Sequence, residues 1–395
     1  MAGAVRRVGV EERRARLGLR HHLAAAARVD SAVEAADGLV ALHGTDPASV
    51  FLAAWARMRA AEVATIERTL YEERALVRIL GMRRTMFVVP VELAPIVQAS
   101  CAHAIAVKQR RLLLQHLDQA AIADEPASWL KEVEESTVAA LAARGESLAA
   151  ELYEHEPRLQ EQLLVAPGKP YEARQAVATR ILFLLAAEGR IIRGRPRGSW
   201  ISGQFRWAPI EAWLPGGLPE WPVEAARVEL VRRWLAAFGP GTAADLKWWT
   251  GWTAGELKRA LAEVGPAEVD LDGATGLVLA DDLEPAPEPE PWVALLPALD
   301  PTVMGWAARG WFLGGHGPTL FDRNGNAGPT VWWDGRVVGG WAQRRDGEIA
   351  FRLLEDVGAE AATAVGAAAE GLGVWLGKVR VTPRFRTPLE RELTA

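Results

Sequence analysis

The sequence predicts an α+β chain. Three helix-rich units each close on a two-strand hairpin, and a strand-rich C-terminal part follows. Three observations carry this reading. Helical periodicity gives way to a pair of strand-like runs three times in succession, a repeat of order and not of residues. Residues 281–291, DDLEPAPEPEP, suit neither a helix nor a central strand and predict an extended, stiff linker. Beyond it, Asp334-Gly335 and Asp346-Gly347 are hairpin-turn signals between strand-like runs.

In the first unit, helices are read over residues 11–27 and 31–42. Asp46 and Pro47 suit the cap and first position of the next helix, which carries Phe51, Leu52 and Trp55. A helix near 62–70 precedes strands 76–80 and 85–89, joined through Gly81-Met82-Arg83-Arg84 and closed by Pro90. Three helices and a hairpin is the winged-helix order. A long helix over 92–117 follows.

The second unit has a helix over 129–144 stopped by Gly145, a short helix capped by Ser147 and an apolar helix over 171–188. Its hairpin is 190–193 with 204–207. The third has a helix over 223–238, a break at Gly239-Pro240-Gly241 and a helix capped by Thr242. A capping box, Thr253 with Glu256, starts the next helix, and a hairpin joins 268–271 to 276–280. After the linker, strands are read at 292–296, 330–333, 336–341, 349–353 and 378–381, with a helix over 359–376. The units are therefore 1–120, 121–215, 216–281, the linker 282–291 and 292–395.

Composition excludes several function classes. The 395 residues are half hydrophobic and 24% charged, an ordinary globular balance with ample core material. One cysteine, Cys101, excludes an intrachain disulfide framework and a multi-cysteine zinc site, and fits a cytoplasmic protein. The seven histidines are scattered without metal-ligand spacing, so no metal is expected. No apolar run approaches the ~20 residues of a membrane helix, and no membrane partner is expected. Arg6, Arg7, Glu11 and Glu12 enclose no signal-peptide core. P-loop, dinucleotide and GxSxG fingerprints are absent, and no cofactor is expected.

Several segments then resemble one family. They are GLVALHGTDPASVFLAAWARM (38–58), EGRIIRGRPRGSW (188–200), FGPGTAADLKWWTGW (238–252), LLPALDP (295–301), GPTVWWDGRVVGGW (328–341) and RVTPRFRTPLE (380–390). In order, they resemble the AlkZ/YcaQ winged-helix DNA glycosylases. The resemblance implies three tandem winged helices curved around a DNA channel, followed by a small β-barrel. It implies a DNA repair glycosylase acting on double-stranded DNA and excising alkylated or bulky-adducted purines; with no nucleophilic amine near the motif it is read as monofunctional, and with no dimerisation heptad a monomer is expected.

The family's catalytic element is a Gln-apolar-Gln or Gln-apolar-Asp triplet before Asp-Pro. The aligned residues here are His43-Gly44-Thr45 before Asp46-Pro47. The resemblance makes His43, Thr45 and Asp46 the catalytic candidates, with His43 and Thr45 holding a water against the anomeric carbon. A histidine titrating near neutrality could accept that water's proton. The local alternative is that Gly44 ends the second helix, His43 caps its carbonyls and Asp46 caps the next helix. The altered triplet equally suits a non-catalytic DNA-binding protein.

The DNA-contact candidates begin with the second wing. Residues 190–210 hold Arg190, Arg193, Arg195, Arg197 and Arg206 and no acid before position 211, with Trp200, Phe205 and Trp207 interleaved. A solvated basic loop over core aromatics is the alternative there. Arg83 and Arg84 occupy the first tip, Arg344 sits by a hairpin turn, and Arg384 and Arg386 flank Phe385. Asn324 and Asn326 lie in a turn-rich loop that could read a groove edge or could be only a turn. The net charge of -5 does not oppose a DNA partner. Residues 264–291 hold eight acids and no base, so the rest of the chain is net basic.

Overall fold

The computed structural model describes residues 5–165, 168 and 172–395. The first helix, Val10–Arg20, ends sooner than its periodicity predicts. His22 sits at φ 57, and the chain resumes only as the 3-10 turn Ala25–Ala27. Helix Ala32–Asp37 starts on a capping box from Ser31 and Glu34, but it too stops early. Val40, at φ 63, redirects the chain, and Leu42–His43 becomes a β-strand. The predicted helix through residue 42 is thus corrected. The apolar run that looked like a helical face is buried by strand pairing instead.

Helices Pro47–Trp55 and Val63–Tyr71 follow, then strands Leu76–Gly81 and Thr85–Pro90. The hairpin strands and Leu42–His43 make a three-stranded antiparallel sheet with Thr85–Pro90 in the centre. The long helix is continuous from Val91 to Gln119, with one π-helical stretch at Gln98–Ala102.

In the next unit Pro126–Arg144 ends at Gly145, which takes φ 81 as a stop signal should. Ser147 caps nothing. It is buried, and its backbone pairs with Trp207. Helix Ala178–Ala187 starts later than read, because Ala173–Ala176 is a strand paired with Gln162–Val165. Tyr171, the expected start, lies outside the described residues. The hairpin is Ile191–Pro196 with Phe205–Pro209.

Helices Val223–Phe238, Ala243–Thr250 and Ala254–Val264 lead to the hairpin Ala267–Leu271 with Ala274–Val278. Both expected capping boxes, Thr242 with Asp245 and Thr253 with Glu256, are formed. The acidic linker is extended and pinned. Arg16 and Arg20 both reach the Asp282 carboxylate, at 2.8 and 2.6 Å.

The C-terminal strands form an open antiparallel meander. Its order is Val293–Leu296, Thr330–Trp333, Arg336–Gln343, Ile349–Leu353. The expected closed barrel is not found among the described residues. Helix Gly358–Leu376 packs against the first and last strands, across the gap that closure would occupy. Residues 378–381 are not a strand. The Gln343 side chain replaces a ladder there, accepting from the Val381 amide at 2.8 Å and donating to the Val379 carbonyl.

One large core joins the first helices, helix Val223–Phe238 and the C-terminal sheet, while residues 106–191 build mainly their own. Trp200 pins the second hairpin into the large core, with ring centroids 4.8 Å from Phe51 and 5.8 Å from Trp375.

Candidate functional site

The triplet leaves the edge of the first sheet. His43 pairs with Phe87, and the Gly44 amide donates to the Met86 carbonyl at 2.8 Å. A Cβ on Gly44 would lie 2.9 Å from Arg78 Nη1 and 3.2 Å from the Phe87 backbone, so the middle position has no room for a side chain. Arg78 Nη1 instead donates to the Gly44 carbonyl. A side chain from the neighbouring hairpin thus clamps the triplet's backbone.

His43 is buried edge-on to the Phe87 ring, 5.4 Å between centroids. Burial, then the Arg83 and Arg78 charges, pushes its pKa down to about 3. It is a neutral imidazole at physiological pH, which corrects the expectation of a base titrating near neutrality. It is also in a strand and not at a helix end, so the helix-capping alternative for His43 and Gly44 falls. Thr45 is half-buried, and its hydroxyl makes no hydrogen bond among the described residues.

Asp46 caps helix Pro47–Trp55, Oδ1 accepting from the Ala48 amide at 3.2 Å. Oδ2 accepts from the Arg384 amide at 2.9 Å, which ties the C-terminal tail to the loop. Burial raises the Asp46 pKa against the lowering effect of these two amides. Accepting one backbone amide on each oxygen, Asp46 holds the loop in place.

Cations without carboxylate partners extend from the triplet: Arg78 and Arg83 act on His43, Arg193 lies near Arg78 and Arg384, and Arg309 lies near Arg83. Arg78 is buried beside the Tyr71 hydroxyl, and its Nε and Nη2 make no well-formed hydrogen bond among the described residues. Its guanidinium lies 4.5 Å from the Phe205 ring centroid. Arg193 lies 5.0 Å from the Trp207 ring, and burial followed by Arg78 and Arg384 pushes its pKa down to about 10. Arg83 sits 3.9 Å over Trp248, and Arg309 4.7 Å over the same ring. Among the described residues, the guanidiniums of Arg78, Arg83, Arg193, Arg309 and Arg384 have no carboxylate within 4 Å. Unpaired guanidiniums sharing one region form a site for polyanions.

The other candidates divide. Arg84 and Arg197 are exposed, Arg84 lying 5.0 Å over Phe183. Asn324, Arg384 and Arg386 line one open groove of about 1050 Å³. Arg195, expected to contact DNA, pairs with Glu72 at 3.0 Å and Glu67 at 3.7 Å in a partly exposed cluster. Arg344 bonds Glu348 and the Leu393 carbonyl, and Arg386 bonds Glu390. The Asn326 amide closes its own turn on Asp322 at 2.9 Å. These last three are occupied structurally.

Sequence reasoning missed Arg78, Trp248 and Arg309. Arg78 did leave a signal, as one arginine inside the apolar strand LVRILG, all of it buried. No group of three or more histidine, cysteine or acidic residues that could hold a metal occurs among the described residues.

Residues 36–375, which include the triplet and four of the five unpaired arginines, match the sequence profile of a family described as DNA glycosylase AlkZ-like. The chain belongs to the AlkZ-like DNA glycosylase family. Among solved structures it is similar to Streptomyces sahachiroi DNA glycosylase AlkZ. That chain is 18% identical, with a TM-score of 0.72 over 96% of this chain and 99% of the other. The likeness shows a shared fold. No curated protein sequence matches the chain. This AlkZ-like chain therefore carries a histidine-glycine-threonine triplet on a family fold, with its glycine fixed by Arg78.

Proposed function

We propose that this AlkZ-like chain is a monomeric, monofunctional DNA repair glycosylase of the cytoplasm. In this reading three tandem winged helices curve around double-stranded DNA, and the enzyme hydrolyses the N-glycosidic bond of alkylated or bulky-adducted purines. The observation that supports the reading is a group of guanidiniums without carboxylate partners that begins at the triplet, with Arg78 and Arg83 acting on His43 and Arg193 and Arg309 lying near them.

An N7- or N3-alkylated purine already carries positive charge, so its glycosidic bond is labile. The enzyme needs a positioned water and an environment that tolerates an oxocarbenium-like transition state. The Thr45 hydroxyl is the accessible group to hold that water. His43, neutral at working pH, can orient it by hydrogen bonding but cannot store its proton. The proton passes to solvent as the water adds to C1′ and the purine leaves. The lesion's disturbed stacking lowers the cost of exposing the nucleotide.

Purified protein is expected to release N7-methylguanine or a larger N7 adduct from duplex DNA, leaving abasic sites. Thr45→Val should slow release by at least tenfold with duplex affinity unchanged. Release from none of these lesions, or a fully active Thr45→Val variant, would overturn the proposal.

A second reading, a DNA-binding protein without catalysis, is favoured by the burial of His43 and by Asp46 having both oxygens engaged. It predicts salt-sensitive duplex binding and no base release.

A further inference from the structure

We infer that Arg83, Trp248 and Arg309 form a phosphodiester-binding clamp that grips the DNA strand beside the triplet. This inference rests on the reading of the chain as a DNA-acting protein and adds a site to it. The three residues come from separate parts of the chain: the tip of the first hairpin, helix Ala243–Thr250, and the segment before helix Gly310–Leu313. Both guanidiniums lie against one indole, 3.9 and 4.7 Å from its centroid, and Arg309 also lies 5.0 Å from the Phe321 ring.

Two like charges held on one ring repel, and each would ordinarily carry a carboxylate. Neither has one within 4 Å among the described residues. The nearby acid is Asp245, whose Oδ1 accepts the Ala307 and Ala308 amides while Oδ2 accepts from Thr242. Burial lowers both arginine pKa values, and Arg83 adds to the shift of Arg309. Arg83 Nε is buried with no partner.

The backbone points the same way. Arg83 and the next residue, Arg84, take φ 52 and φ 61, left-handed values that cost arginine about 1–3 kcal/mol each. Both lie at the tip of the hairpin, where positive φ closes the turn and sets the direction in which the two side chains leave it. Arg309 Nε donates to the Trp306 carbonyl at 2.9 Å and Nη2 faces Met304 Sδ, which fixes the guanidinium and leaves its Nη1 end for a phosphate oxygen. Phe321 also lines the groove that holds Arg384 and Asn324, so the clamp borders that groove through Arg309, and the Arg83 charge reaches His43.

The test uses the full chain and a fluorescent duplex containing one N7-methylguanine. Affinity is measured across salt, with single methylphosphonates replacing phosphates around the lesion. Wild type should lose about tenfold in affinity at one or two linkages flanking the lesion. Arg309→Gln should abolish that position-specific loss and reduce the magnitude of the log K against log salt slope by about 1. Arg344→Gln, at an arginine already paired with Glu348, should leave both unchanged.

Uniform loss at every linkage in wild type overturns the clamp without a variant having to fold. So does an Arg309→Gln protein with the wild-type profile. Absence of any salt-sensitive duplex binding by wild type would instead sink the underlying DNA reading.

Discussion

Arg78 and His43 fix the backbone and the charge state of the triplet. The first holds its backbone, and the second is kept neutral by burial and by the arginines beside it. A folded-state pKa near 3 against an unfolded value of 6.5 means the unfolded chain binds the extra proton between those limits. His43 therefore makes stability fall as pH drops through that window, by about 1.4 kcal/mol per pH unit. Buried His21 acts in the same direction. Replacing His43 with Leu should flatten the acid limb of the stability curve by about one proton, measured by denaturant titration at pH 4 to 7. An unchanged acid limb would mean that His43 is not buried neutral. Asp300 shows a different residue-scale role. It is fully buried against Arg57 at 2.7 Å and caps helix Pro301–Met304. Asp300→Ala should lower stability by about 3–5 kcal/mol, because it strands the Arg57 charge. The LDP motif recognised in the sequence is thus part of the structural core.

At the scale of elements, the loop from strand Leu42–His43 into helix Pro47–Trp55 is held from both sides. Removing the Asp46 carboxylate with Asp46→Ala should cost about 1 kcal/mol for the cap, and it also releases the Arg384 amide. Hydrogen exchange of the 380–387 segment should rise in that variant, and unchanged protection there would refute the tether. The caps and hairpins were legible from local chemistry. Asp46-Pro47, Thr242 with Asp245, Thr253 with Glu256, and the turns at Asp334-Gly335 and Asp346-Gly347 each carry their own signal within four residues. What was not legible depended on distant partners. Leu42–His43 reads as the end of a helix until Thr85–Pro90 is available to pair with it. Residues 378–381 read as a strand although a glutamine side chain takes the ladder's place. Closure of the last sheet was expected from resemblance alone, and a helix crosses the gap instead. In the site, Arg195 looked free because Glu67 and Glu72 lie more than a hundred residues away.

Across the whole molecule, charge is segregated. The acidic stretch is partly neutralised where it meets the N-terminal region, with Arg7 on Asp272 and Arg16 and Arg20 on Asp282. Several arginines without a carboxylate partner, Arg78 and Arg83 beside His43 among them, lie apart from that stretch. Net acidity thus coexists with one anion-attracting surface, and an affinity for duplex DNA that falls steeply with salt is expected. The central claim, water-driven base release at a triplet with a neutral histidine, is tested most directly by one measurement. It is the single-turnover rate of N7-methylguanine release from duplex DNA between pH 5.5 and 8, above the enzyme-free rate. The account predicts release at a rate level across that range, since His43 does not titrate within it. Absence of release at every pH, or a rate that drops with an apparent pKa near 6.5, would contradict it.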